Sequence, residues 1–449
     1  MRLLGKSRAL ALLFLVTFQV GCHKSPQPLT IRVAGDDWFL KSLVETGMIS
    51  SYEQKTGEHI EILNRNDRTI MKDLDGDAAA EHAPYDLVVM RHRLLGALVQ
   101  KHEIQPIDSL LTDPALHDPS FDPRQQLFPN WWRELSWYGD KIYGYPYTGL
   151  TAFLCYRNDL LEDPENQRKF KARYHRDLAV PNNWKEYDQV AEFFTRPADH
   201  FYGTYISGKQ GLALWYEWLN FVYSFGGDIL DTQHGWEYSD IVVNSPQNVA
   251  ATEQYAKLIA YSPPDTLTYG WNEAQAALQQ EHAFMGLLWS DQAYLLEDAK
   301  SKVAGKIGYS LVPSDGEEKA SQMEGLTYLV PTGSPHPKEA YRFLEWAMSD
   351  QVQVSQTLHG STSIRQSVYE DPKVKQLPYV PAFLASVPIA KEKPTIPEAS
   401  QMTDAAERRL SEILTGKESA RNGLDELALD LQQILGSKAK LRYPVHGKS

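Results

Sequence analysis

Residues 149–157 read Gly-Leu-Thr-Ala-Phe-Leu-Cys-Tyr-Arg, an apolar run in which only Arg157 is charged. A run of this length predicts a long buried strand. One α/β series precedes it and a second begins with it, so the strand stands where the chain divides.

In the first series, Leu29–Ala34 (LTIRVA) reads as a strand. Leu40–Lys55 reads as a helix, with Leu40, Leu43, Val44 and Met48 at helical spacing and Thr56-Gly57 as its C-cap. EHIEIL (58–63) and YDLVVM (85–90) supply two more strands. The alternation β-α-β-α-β implies a mainly parallel sheet between helices.

In the second series, Asn183 followed by Glu186 predicts an N-cap for a helix with Trp184, Tyr187, Ala191 and Phe194 on its apolar stripe. IVVN (241–244) reads as a strand, and Ser245-Pro246 as the cap and first residue of the next helix. KIGYSLVP (306–313) and TYLVP (327–331) are predicted strands, and Pro337 opens a helix. Two amphipathic helices follow at roughly 401–415 and 420–435. No tandem repeat or low-complexity tract interrupts the chain, and two α/β lobes fit best.

Composition agrees. At 449 residues, 42% hydrophobic and 23% charged, the chain is globular and long enough for two large lobes. Acids outnumber bases 58 to 45, for a net charge of −13, and no Lys/Arg-rich run occurs. A nucleic-acid partner therefore has no electrostatic footprint. The 11 Trp and 24 Tyr suit a site that grips a partly apolar, hydroxyl-rich ligand.

Residues 1–21 read as a secretory signal, with Arg2, Lys6 and Arg8 before the ten-residue apolar run Ala9–Phe18. That run is too short to span a bilayer, and no later segment approaches 18 consecutive apolar residues. QVGC (19–22) resembles a bacterial lipobox, with Gln19 where the pattern prefers Leu. The resemblance implies lipidation of Cys22 and anchoring to a bacterial membrane; the alternative is a cut elsewhere with Cys22 incidental. Residues 22–28 would form a polar tether. Cys155, the remaining cysteine, is expected to be a buried, inert thiol.

No P-loop, H-E-x-x-H, Cys-x-x-Cys, EF-hand loop or Gly-x-Ser-x-Gly elbow occurs. The expectation is therefore binding without catalytic residues, metal or cofactor. A pair of catalytic carboxylates is defined by separation in space and stays open at this point.

From about residue 30 to 436 the chain resembles the family 1 extracellular solute-binding proteins of ABC transporters, the maltose-binding protein type with a class II periplasmic-binding-protein-like fold. The resemblance rests on the order of YEQKTGEHIEI (52–62), APYDLVVM (83–90), DKIYGYPYTGLTAFLCYRNDLL (140–161) and VPNNWKEYDQVAEFF (180–194). It continues through WNEAQAALQQEHAFMGLLWSD (271–291), EGLTYLVPTGSPHPKEAYRFLEWAMS (324–349) and HGSTSIRQSVYEDP (359–372). Departures are Glu281-His282-Ala283-Phe284-Met285, where the family has Gly before Met, and the acidic, aromatic Asp36-Asp37-Trp38.

The resemblance implies an N-lobe of 29–148 plus about 307–333, and a C-lobe of 149–306 plus about 334–440. A solute, first of all a sugar, would be held between them by hinge closure and passed to ABC permease subunits. The protein would be an exported periplasmic or cell-surface monomer.

Ligand contacts are expected just beyond strand ends. These are Asp37 and Trp38 after the first strand, Arg91 after the third, Tyr147 before the crossing, Trp271, and Trp289 with Asp291. Trp215 and Arg365 complete the candidates, while Trp131, Trp132 and Trp184 read as packing. Other solutes (a polyol, sugar phosphate or polyamine) remain open, as do a sensor subunit and an exported glycoside hydrolase. Iron is disfavoured by the lack of a Tyr-Tyr pair.

Overall fold

A computed structural model describes residues 28–446. The leader and Cys22, on which the export and lipid readings rest, lie outside the described residues.

β1 (Thr30–Gly35) runs into α1 (Asp37–Glu45). The single helix expected over Leu40–Lys55 is two, because Gly47 at φ 70° turns the chain between α1 and α2 (Met48–Thr56). Gly57 ends α2 in the left-handed conformation, φ 76°, as its sequence position implies. β2 (His59–Asn64) and β3 (Leu87–Arg91) follow, and then β4 (Gly144–Arg157), buried along its whole length. α3 (Trp184–Phe194) is capped by Asn183, whose side chain accepts from the Glu186 amide at 2.9 Å.

α4 (Leu212–Ser224) is apolar nearly all round and buried on nearly every side. The strand expected at IVVN ends at Ile241, and the next residues turn into the Ser245 cap of α5 (Pro246–Lys257). α6 (Trp271–Gln279), β5 (Met285–Trp289), α7 (Ser290–Leu296), β6 (Ile307–Ser310) and β7 (Ser321–Leu329) complete the middle of the chain. α8 (Pro337–Ala347), β8 (Ala390–Lys391), α9 (Ala399–Leu414) and α10 (Ala420–Leu435) complete the rest. Among the described residues no helix is long and apolar enough to cross a membrane.

One eight-stranded sheet runs through the molecule in the order β6-β4-β7-β3-β1-β2, with β5 added to β4 and β8 to β7. β1 is parallel to both β2 and β3. Beyond these, only the two-residue β8 pairs in parallel, with β7, and the remaining pairings of this sheet are not the parallel ones expected of both halves. β7 is antiparallel to β3 and to β4, and β5 and β6 are antiparallel to β4. The cause is β4 itself, which passes from one half to the other without a crossover helix. Its residues Gly144–Thr151 pair with β7, and Ala152–Arg157 pair with β5 and β6.

Where the strands cross, Gly149 and Gly325 are register partners. A Cβ on Gly149 would lie 2.1 Å from the Trp131 ring, and one on Gly325 would lie 2.4 Å from Leu135. These glycines let the helix Pro129–Ser136 lie flat on the crossing, which accounts for buried Trp131 and Trp132. Trp184 is likewise core, stacked on Phe221 at 4.2 Å.

The fold is two-lobed α/β. α8 packs on α2, with Phe343 and Trp346 rings 5.2 and 4.9 Å from Tyr52. β6 pairs with the far half of β4. Cys155 is fully buried in β4, and burial pushes its thiol well above the usual value, as expected of an inert cysteine.

Candidate ligand cleft

The parallel strands β1 and β3 end at one edge of the sheet, and that edge forms one wall of a cleft open to solvent, with a cavity volume of about 200 Å³. Asp36 follows β1 and caps α1 by accepting from the Trp38 amide at 3.2 Å. Trp38 stands at the rim, 51% exposed. Arg91 ends β3 with its guanidinium 2.7 Å from Asp67. Leu150 of β4 and Glu324 and Leu326 of β7 make the floor. The second lobe supplies Tyr216 from the middle of α4, Trp271 from the start of α6, Trp289 from the end of β5 and Asp291 from α7.

The aromatic wall is built as a unit. Tyr216 lies 6.1 Å from Trp271 and 5.8 Å from Trp289, ring centre to ring centre. Gln292 ties the segments together: its carboxamide accepts from the Trp289 amide at 3.3 Å and donates to the Trp271 carbonyl at 3.0 Å.

The carboxylates differ in kind. Burial pushes Asp291 up to about 6, against hydrogen bonds from nearby backbone amides and the Trp38 indole that favour its charge. Asp291 and Trp38 thus meet across the two lobes. Asp291 Oδ1 and Trp271 Nε1 are buried without a hydrogen-bond partner. One is an acceptor and the other a donor, so a bound hydroxyl satisfies either.

Glu324 lies over a buried ionic cluster. Lys393 Nζ is 2.9 Å from Glu324 and 3.2 Å from Glu392, and it sits 4.9 Å from the centre of the Tyr216 ring. Burial works against its charge, yet Lys393 holds Glu324 below its usual value; burial pushes Glu392 up to about 8. The Lys393 charge thus favours the charged form of Glu324, and burial favours the protonated form of Glu392. Neighbouring His92 is driven down to about 3 by burial and then by the Lys393 charge.

The structure gathers Trp38, Arg91, Trp271, Trp289 and Asp291 around this one cleft. Tyr147 lies in an adjoining chamber, its hydroxyl 2.8 Å from that of Ser42. Asp37 does not line the cleft, and its backbone N–H donates to Asn64 at 3.1 Å. Trp215 points away from the cleft and stacks on Trp218 at 5.4 Å. Arg365 is engaged elsewhere, 2.5 Å from Asp350 and 3.1 Å from the Met348 carbonyl. Sequence reasoning named Asp36 only among acids suited to a polyamine, and it missed Tyr216, Glu324 and Lys393. The signal for Glu324 was a lone acid inside an otherwise uncharged buried strand, SQMEGLTYL.

The fold and cleft define a two-lobed solute-binding protein, and the chain belongs to the bacterial extracellular solute-binding proteins, whose family pattern matches residues 47–382. It is 27% identical over 311 residues to a probable ABC transporter-binding protein of Deinococcus radiodurans, a match covering 66% of this chain and 70% of that one.

Among solved structures it is similar to the maltose-bound MalE3 of T. maritima, with a TM-score of 0.74 and 20% identity over 91% of this chain and 100% of that one. It is also similar to an ABC transporter solute-binding protein of Agrobacterium radiobacter in complex with ribitol, at TM-score 0.75 and 23% identity over 91% and 100%. At these identities the likeness is one of fold. The family and these neighbours are binding proteins rather than enzymes.

Proposed function

We propose that the protein is the solute-capturing lipoprotein of an ABC importer. Anchored through Cys22, it closes on a carbohydrate or related polyol and presents it to the permease as a monomer. The observation that carries this reading is the composition of the cleft. Trp38, Tyr216, Trp271 and Trp289 alternate with Asp36, Arg91 and Asp291, drawn from both lobes.

A sugar demands this mixture, with rings for its C–H faces and charged or amide groups for its hydroxyls. Each stacking or charge-assisted contact is worth about 1–2 kcal/mol, and micromolar affinity needs about 8 kcal/mol net. Several contacts from each lobe are therefore required, and a ligand touching both lobes favours the closed state. A phosphorylated solute fits less well, because Arg91 is already paired with Asp67. Maltose in MalE3 of T. maritima and ribitol in the Agrobacterium radiobacter protein are in keeping with a sugar or polyol here.

The test is a titration of the mature protein with monosaccharides, oligosaccharides, polyols and polyamines. Trp fluorescence and thermal shift report binding, and products are assayed in the same tubes. Saturable binding of one sugar or polyol class without product is expected, whereas turnover would make the protein a hydrolase. For the anchor, Cys22→Ser is expected to move the protein from the membrane fraction to the soluble one.

A further inference from the structure

Glu324 is the one charged residue of β7, a strand buried along its whole length. Its register partner on β4 is Leu150, and the next residue on the same face of β7 is Leu326. All three line the cleft, although Glu324 is only 3% exposed. Behind the carboxylate lies Lys393, 2% exposed and not itself part of the cleft lining, with Nζ 2.9 Å from Glu324 and 3.2 Å from Glu392.

A buried ion pair adds little net stability, because desolvation offsets the attraction. Its place under the floor is better explained by what the open side of the carboxylate can do. Two oxygens offer about four acceptor positions. The Gly325 amide takes one at 2.9 Å and Lys393 a second, while the nearby Tyr216 hydroxyl favours the charge. Capacity remains on the cleft side.

We propose that Glu324 contacts the ligand, accepting a sugar or polyol hydroxyl at the cleft floor, and that Lys393 is the positioning residue that fixes its charge and orientation. The inference rests on the sugar or polyol reading above. A hydroxyl lying over Leu150 and Leu326 meets a carboxylate gripped from behind by Lys393 and the Gly325 amide, so the acceptor is set before the ligand arrives. Such a charge-assisted bond is stronger than a neutral one, the more so where water is excluded. The same ammonium lies 4.9 Å from the centre of the Tyr216 ring, so one buried cation braces a floor acceptor and a wall ring together.

The groups facing Glu324 are Lys393 and Glu392 after β8, Tyr216 of α4, and Arg91 and His92 at the end of β3. The two cations favour its charge and Glu392 opposes it; His92, driven down to about 3, stays neutral. Without Lys393, burial dominates and pushes Glu324 up.

The experiment measures Kd by calorimetry for glucose, tagatose, maltose, ribitol and mannitol on the full mature protein, with a thermal melt confirming that each variant is folded. Glu324→Gln keeps the side-chain shape and leaves Lys393 paired with Glu392. It is expected to weaken the tightest of these ligands about ten-fold or more. Lys393→Met is read by pH, in an Asp291→Asn background that removes the Asp291 titration. The background alone is expected to bind equally from about pH 5 to 8, and with Lys393→Met affinity is expected to fall about ten-fold toward the acid end. Adding Glu324→Gln is expected to flatten that profile again. A flat profile with Lys393→Met overturns the positioning role, and Lys393→Gln replaces it if the Met variant does not fold. An unchanged Kd in folded Glu324→Gln overturns the contact and leaves the sugar or polyol reading standing. A panel on which none of these ligands binds overturns both.

Discussion

The carboxamide of Gln292 donates to the backbone carbonyl of Trp271 at 3.0 Å, joining two segments whose tryptophans wall the cleft. Its oxygen meanwhile accepts from the Trp289 amide, so one side chain fixes the spacing of both rings. Gln292→Leu leaves a carbonyl and an amide unpaired at little change in volume. A cost of about 1–2 kcal/mol is expected in stability. Ligand affinity is expected to fall about ten-fold as the rings lose register, and calorimetry with a thermal melt reads both.

Stacking makes a sharper contrast. Trp289→Leu is expected to weaken sugar binding ten-fold or more, since it removes a ring from the wall. Trp215→Phe is expected to leave Kd unchanged, because Trp215 packs on Trp218 outside the cleft. A large effect from Trp215→Phe would place the ligand elsewhere.

That contrast shows what the sequence could and could not reveal. Trp38, Arg91, Trp289 and Asp291 were legible because they follow strand ends, where an open α/β sheet exposes side chains to ligand. Tyr216 was not, since α4 is apolar nearly all round and nothing marks which residue looks into the cleft. Trp215, the residue singled out on that helix, does not line the cleft while its neighbour Tyr216 does, and one residue on a helix is a rotation of about 100°. Asp36 and Asp37 divide in the same way, because the cap residue faces the cleft and the first helical residue does not. The helix break at Gly47 and the antiparallel pairing around β4 depend on tertiary contacts that periodicity does not encode.

The ionic cluster under the floor carries its own consequence. Lys393→Met strips the cation from beside Glu324 and Glu392, leaving the buried Glu324 carboxylate uncompensated. A loss of about 3–5 kcal/mol in urea unfolding is expected. Adding Glu324→Gln is expected to recover part of that loss, since burial favours the protonated form of the remaining acid, Glu392. Additive effects would show that the two residues do not interact.

Asp291 gives the pH dependence. In the free protein burial raises its value from 3.8 to about 6, so the folded chain holds a proton there that the unfolded chain releases. That contribution to stability is present at low pH and is lost as pH rises through about 4 to 6. A ligand hydroxyl donating to the carboxylate favours the charged form and lowers the value in the complex. Affinity is therefore expected to be full above about pH 6 and to fall below it. Asp291→Asn is expected to bind more weakly and to lose this dependence, as read by titrations at pH 5, 6 and 7.5.

Closure of two lobes on a shared sugar is the central claim, and small-angle X-ray scattering of the mature protein with and without that sugar addresses it most directly. A saturable fall in the radius of gyration is expected, with a midpoint equal to the calorimetric Kd. Tight binding with no change in the scattering profile would contradict the account, because it would place the ligand on one lobe alone.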